Sequence, residues 1–114
     1  MGDEKKYKDF NSFYKYYLTE HGDARNRSLH FLGTALFFVC LIGGFVTGKW
    51  WVFLLMPLVG YGFAWAGHFF VEKNKPATFT YPLFSLVSDF VMFWHILTGQ
   101  IDTKLRDAKK EINQ

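Results

Sequence analysis

Charged and polar residues crowd the two ends of the chain, residues 1–28 and 98–114, while Leu29–Leu97 is almost continuously apolar. A soluble core interleaves its apolar positions with polar ones, so segregation of this kind marks a membrane protein. Near the N-terminus Phe10, Phe13, Tyr14, Tyr17, Leu18 and His21 recur at i, i+3, i+4, i+7, i+8 and i+11. That spacing predicts an amphipathic helix over 9–21, capped by Asp9 and stopped by Gly22. Lys5, Lys6, Lys8 and Lys15 would meet headgroups while the aromatic stripe enters the interface. Gly22–Asn26 reads as a short polar connector, with Asn26 or Ser28 capping the next helix.

Two transmembrane helices follow, over 29–47 and 50–72, joined by the tight turn Thr47-Gly48-Lys49. Each is long enough to cross ~30 Å of hydrocarbon. Trp50 and Trp51 stand where interface anchors are expected, and Pro57, Gly60, Gly62 and Gly67 permit a bend and close helix contact. A third apolar helix, 79–98, carries Ser85, Ser88, Asp89, Met92 and His95 within one-third of a helical wheel, so this strip faces protein or water. With two crossings, twelve Lys and Arg lie on one side and only Lys49 on the other. That bias favours a shallow or re-entrant third helix, although its length also suffices to span. Residues 101–113 read as a charged, solvated tail helix. The expected fold is all-α: one small polytopic membrane domain over 1–114, both termini cytoplasmic, built from an interfacial helix, two spans and a third apolar helix, spanning or re-entrant.

The net charge of +3 changes this picture little. The basic residues flank apolar runs instead of lining one face, so the expected partner is anionic lipid and not nucleic acid. Cys40 lies inside an apolar run and reads as a small lipid-buried hydrophobe, which leaves no disulfide framework. The first 28 residues lack an apolar stretch and a small-residue cleavage site, so no cleavable leader is expected.

The hairpin gives the histidines their interest. His30 lies eighteen residues before Gly48 and His68 nineteen after Lys49, which puts both about 27–28 Å from the turn at 1.5 Å per residue. His21, at the end of the interfacial helix, belongs to the same level, and Glu72 shares the face of His68 at i+4. Taken singly, a boundary histidine is an ordinary hydrogen-bonded interface residue. Three at one depth beside a carboxylate are the donor set of a metal site, suited to redox iron or zinc. Glu72 is either a ligand or the acceptor for the far N–H of a ligating histidine. Asp89 either orients a histidine or packs helices. His95 joins this site only if the third helix is shallow. Two other classes fit the pattern: a bis-histidine haem electron carrier and a non-enzymatic membrane-shaping hairpin.

Longer strings add a resemblance. Glu20-His21, the run Asn26-Arg27-Ser28-Leu29-His30-Phe31-Leu32-Gly33-Thr34, and the run Gly67-His68-Phe69-Phe70-Val71-Glu72-Lys73-Asn74-Lys75-Pro76-Ala77 together resemble the 2-hydroxy fatty acid dioxygenase (Mpo1-like) family, as do Tyr81-Pro82, Ser85-Leu86 and Asp89 with Met92. The resemblance covers roughly residues 10–100. It implies an integral membrane enzyme of fatty acid α-oxidation that uses Fe(2+) and dioxygen to shorten a 2-hydroxy fatty acid by one carbon. His21, His30 and His68 match the family's histidine positions, and His95 does not. On this reading Glu72 and Asp89 support catalysis, while Arg27, Lys73 and Asn74 hold substrate, with Arg25 and Lys75 as further cations for its carboxylate. The acyl chain lies in the bilayer or in a groove lined by Tyr61, Phe63, Trp65 and Phe69.

Overall fold

The computed structural model describes residues 7–112, and among them it contains five α-helices and no strand. Lys5, Lys6 and position 113 lie outside the described residues. Helix α1, Phe10–Thr19, begins where the Asp9 carboxylate accepts the Ser12 N–H at 3.1 Å. Helix α2, Ala24–Thr47, starts five residues before the apolar run does. Asp23, not Asn26 or Ser28, is its cap, accepting the Arg25 N–H at 2.8 Å. The polar connector is thus shortened, and Asn26 and Arg27 become first-turn helix residues. Gly48 closes α2 in the left-handed region, φ 69°, which glycine adopts without a Cβ clash.

The second apolar run is a continuous helical stretch, Trp50–Glu72, in three registers. A 3₁₀ turn, Trp50–Leu54, leads into α3, Leu55–Ala66, and a π-helical segment, Gly67–Glu72, ends it. A further 3₁₀ turn, Ala77–Phe79, precedes α4, Pro82–Leu97, which has proline in its first turn. Gly99, φ 78°, breaks the chain before α5, Ile101–Ile112.

Helices α2 and α3 form the expected hairpin. At Gly33 a side chain would meet the carbonyls of Val59 and Gly60 at 3.1 Å, and a Cβ at Gly67 would overlap the Asn26 amide. The small residues therefore let the two backbones close up. Both helical stretches are long and apolar enough to cross a membrane, and only 22% and 17% of their most apolar windows are buried. A soluble core helix would be mostly covered, whereas Phe45, Val46, Leu58 and Phe70 here are two-thirds or more exposed.

The packed core lies elsewhere. Phe13, Tyr17 and Leu18 of α1, Met92 of α4, and Leu105 and Ala108 of α5 bury one another. Truncating a ring such as Phe13 would cost about 3–5 kcal/mol. Helix α4 meets α1 along its whole length. Tyr81, its N-cap, lies 4.8 Å from the Phe13 ring, and His95, in its last turn, accepts from the Tyr14 hydroxyl at 2.7 Å. Helices α1, α4 and α5 thus form a layer across one end of the hairpin.

Candidate metal centre

Three elements deliver one imidazole each to the junction of layer and hairpin. His21 follows α1, His30 is in the second turn of α2, and His68 lies in the π-helical segment. All three are buried. Gly33 faces Gly60 and Asn26 faces Gly67, so His68 stands about one helical turn farther from the hairpin bend than His30. The 3₁₀ turn at Trp50–Leu54, with its longer rise, accounts for part of that offset. Side-chain direction closes the gap. In each helix Cβ leans toward the N-terminus, so His30 tilts away from the bend and His68 tilts toward it. The rings meet with centroids 4.3, 4.4 and 4.9 Å apart and planes at 77–87°.

Each ring has its outer nitrogen engaged. His21 Nδ1 donates to the Tyr17 carbonyl at 2.6 Å, one of the carbonyls freed where α1 ends. His68 Nδ1 donates to Asn74 Oδ1 at 2.7 Å. The Asn74 amide nitrogen is itself held by the Glu20 carbonyl at 3.1 Å, which fixes that orientation. His30 Nδ1 faces Asp89 Oδ1 at 3.5 Å, and Asp89 accepts the Tyr17 hydroxyl. With Nδ1 donating in His21 and His68, their Nε2 atoms carry lone pairs. His21 Nε2 and His30 Nε2 nevertheless stand 3.1 Å apart, and one ligand atom from each of the three histidines falls within 4.8 Å of the others. A contact this short is held by a proton shared between the rings or by a cation among them. Two nitrogens each ~2.1 Å from one metal at 90–110° would be roughly 3.0–3.4 Å apart. The donor set therefore fits a metal ion. A haem macrocycle does not fit between rings this close.

Electrostatics agree. Burial, then the neighbouring His30 and His68, push His21 well below the usual histidine range, so it stays neutral and able to ligate. Burial and the Asp89 carboxylate push the Tyr17 hydroxyl well above the usual tyrosine range, so it remains a donor to Asp89.

Other expected site residues take different places. Glu72 does not meet an imidazole. Its Oε1 accepts the Asp23 N–H at 2.6 Å and faces the Asn26 amide at 3.4 Å, so it braces the start of α2. Position i+4 lies near the face of His68 in a π-helical as in an α-helical segment, and from there the Glu72 carboxylate reaches Asp23 and Asn26. Asn74 orients His68 from behind. Arg27 donates to the carbonyls of His21 and Gly22 at 2.8 and 2.9 Å, holding the α1–α2 turn. Lys73, φ 60°, ends the π-helical segment and is exposed. His95 bonds to Tyr14 and stands apart from the trio. Of the anticipated groove residues, Tyr61 lines the large cavity beside His30, and Trp65 a small one beside His68, whereas Phe63 and Phe69 line neither.

Tyr17 is the residue that sequence reasoning misses. Its carbonyl holds His21, its hydroxyl holds Asp89, and its ring stacks on His21 with centroids 4.0 Å apart. The signal was its i−4 spacing from His21, hidden because Tyr17 also belongs to the apolar stripe.

A protein-family model described as 2-hydroxy-palmitic acid dioxygenase Mpo1-like matches residues 7–101. No curated protein and no solved structure matches the chain.

Proposed function

The chain belongs to the 2-hydroxy-palmitic acid dioxygenase Mpo1-like family, and on that premise we propose that it is a membrane-embedded, Fe(2+)-dependent dioxygenase of fatty acid α-oxidation. A 2-hydroxy fatty acid and one dioxygen balance as the fatty acid one carbon shorter, carbon dioxide and water. One observation carries the reading: three buried imidazoles each bring a ring nitrogen within 4.8 Å of the others. Imidazole suits iron, and an ion held by three protein ligands keeps positions open for a chelating 2-hydroxy acid and for oxygen.

The ion, when bound, supplies the oxygen chemistry. The protein supplies position and dryness. Tyr17, Asn74 and Asp89 hold the three rings, fixing which nitrogen faces inward. Burial of the trio excludes bulk water. Arg25, Lys73 and Lys75, exposed near this end of the hairpin, attract the acid's carboxylate to the interface. The exposed apolar faces of α2 and α3 sit in the bilayer as two crossings, with α1, α4 and α5 on the cytoplasmic side.

The test is anaerobic loading with Fe(2+), followed by 2-hydroxy fatty acid and oxygen. Mass spectrometry is expected to find the acid one carbon shorter in proportion to bound iron. Iron that remains bound without that product overturns the assignment.

A further inference from the structure

The three helix faces that hold site residues continue past them toward the hairpin bend. On α2, His30, Thr34 and Phe37 fall at i, i+4 and i+7; on α3, Gly60 and Ala64 lead up toward His68; on α4, Leu86 and Phe90 flank Asp89. Helices α3 and α4 both pack on α2 but hardly against each other. The gap between them is a cavity of about 280 Å³. Its charged end is formed by His30 and Asp89, and its far end by Phe37, Met56 and Pro57.

Gly60 marks the path. It lines this cavity, and a Cβ there would meet nothing within 4 Å. A larger side chain at this position projects into empty space without disturbing the hairpin.

We propose that this cavity binds a single unbranched acyl chain, polar end at His30 and Asp89 and tail toward Phe37 and Met56, with Gly60 keeping the path open. The inference rests on the dioxygenase reading above and names where its substrate lies. A cavity of this size holds a stretch of one chain, and polarity confined mainly to one end selects an amphiphile. From His30 to Phe37 the helix rises ~10 Å, the length of about eight methylenes at ~1.3 Å each. Longer chains leave beside Leu86, which is 40% exposed, and continue into lipid.

Two measurements separate this inference from the function it rests on. The first is anaerobic photo-crosslinking of the full chain in nanodiscs with a diazirine-bearing 2-hydroxyhexadecanoic acid. Adducts are expected on Phe37, Met56 and Leu86, lost in Gly60→Leu and in Thr34→Phe, and retained in Gly62→Leu, which also points into open space but lies outside the cavity. The second is turnover. Displacing two methylenes from the cavity weakens binding ~10-fold, so Gly60→Leu should raise KM for the long-chain acid at least that much while bound iron stays at the parent level. Adducts spread over Phe45, Leu54 and Leu58 and unchanged in Gly60→Leu would overturn the proposal, as would an unchanged KM. Cavity adducts without turnover of any 2-hydroxy acid would instead sink the dioxygenase reading and leave the acyl site standing.

Discussion

His21 Nε2 and His30 Nε2 face each other at 3.1 Å while Nδ1 of His21 is bonded to the Tyr17 carbonyl and Nδ1 of His30 faces Asp89. Such a contact is held either by a proton shared between the rings or by a cation among them, and metal retention decides between the two. Replacing His21, His30 or His68 with Ala should each abolish retention of Fe(2+) through desalting while far-ultraviolet circular dichroism stays at the parent level. Stoichiometric iron in any one variant removes that histidine from the ligand set.

The groups behind the rings should have graded effects. Asn74→Ala frees the His68 ring to rotate, and Asp89→Asn removes the charge facing His30 and alters the partner of the Tyr17 hydroxyl. Loss of such outer partners typically weakens metal affinity ~10–100-fold. Competition with a calibrated chelator measures this. Wild-type affinity in both variants would reduce these contacts to packing.

Glu72 is expected to act on stability and not on the metal. Its carboxylate accepts the Asp23 N–H at 2.6 Å and so ties the π-helical segment to the start of α2. Glu72→Ala leaves that N–H unpaired and should cost about 1–3 kcal/mol, read as a lower midpoint in denaturant. Glu72→Gln keeps an acceptor and should recover most of it. Iron content should match the parent in both. Failure of Glu72→Gln to bind iron would make the carboxylate a ligand after all.

What was legible in the sequence follows from what local rules can reach. The hairpin was legible because Thr47-Gly48-Lys49 interrupts two apolar runs of spanning length. The gathering of His30 and His68 at one end of the hairpin was legible because a rise per residue converts spacing into depth, although the backbones stand about one turn apart. Distances between helices were not. The contact of Glu72 with the Asp23 N–H joins residues 49 positions apart. The partnership of Tyr17 with Asp89 joins residues 72 positions apart. The bonds of Asn74 to His68 and of Arg27 to the α1–α2 turn were likewise not legible, because they depend on how helix ends meet in the fold.

Topology can be checked from the layer. Tyr81 and His95 bracket α4 and both touch α1, and the proposed topology keeps the two ends of α4 on one side of the membrane. In a Cys40→Ser background, Lys8→Cys, Lys75→Cys and Lys109→Cys should react with a membrane-impermeant maleimide from one face of sealed vesicles. Lys49→Cys should react from the other. Labelling of Lys8→Cys and Lys109→Cys from opposite faces would mean that α4 crosses.

The last prediction concerns His95, which stands apart from the metal trio. Its Nδ1 accepts the Tyr14 hydroxyl at 2.7 Å, and Lys104 and Asp107 of α5 line the same recess. Burial first, and then Lys104, lower its pKa from 6.5. The sign follows from which form the fold prefers. The folded protein favours neutral His95 more than the unfolded chain does, so the full contribution is present above pH ~6.5 and is lost as pH falls below it. Protonation would also remove the acceptor that Tyr14 uses. His95→Gln keeps a polar group without a titrating one. Denaturant midpoints of the metal-free proteins should therefore diverge below pH ~6.5, the parent losing stability faster than His95→Gln. The metal-free trio is common to both proteins and cancels in the difference. Parallel curves from pH 8 to pH 5 would show that His95 titrates alike in the folded and unfolded states, and that the Tyr14 contact does not depend on its charge.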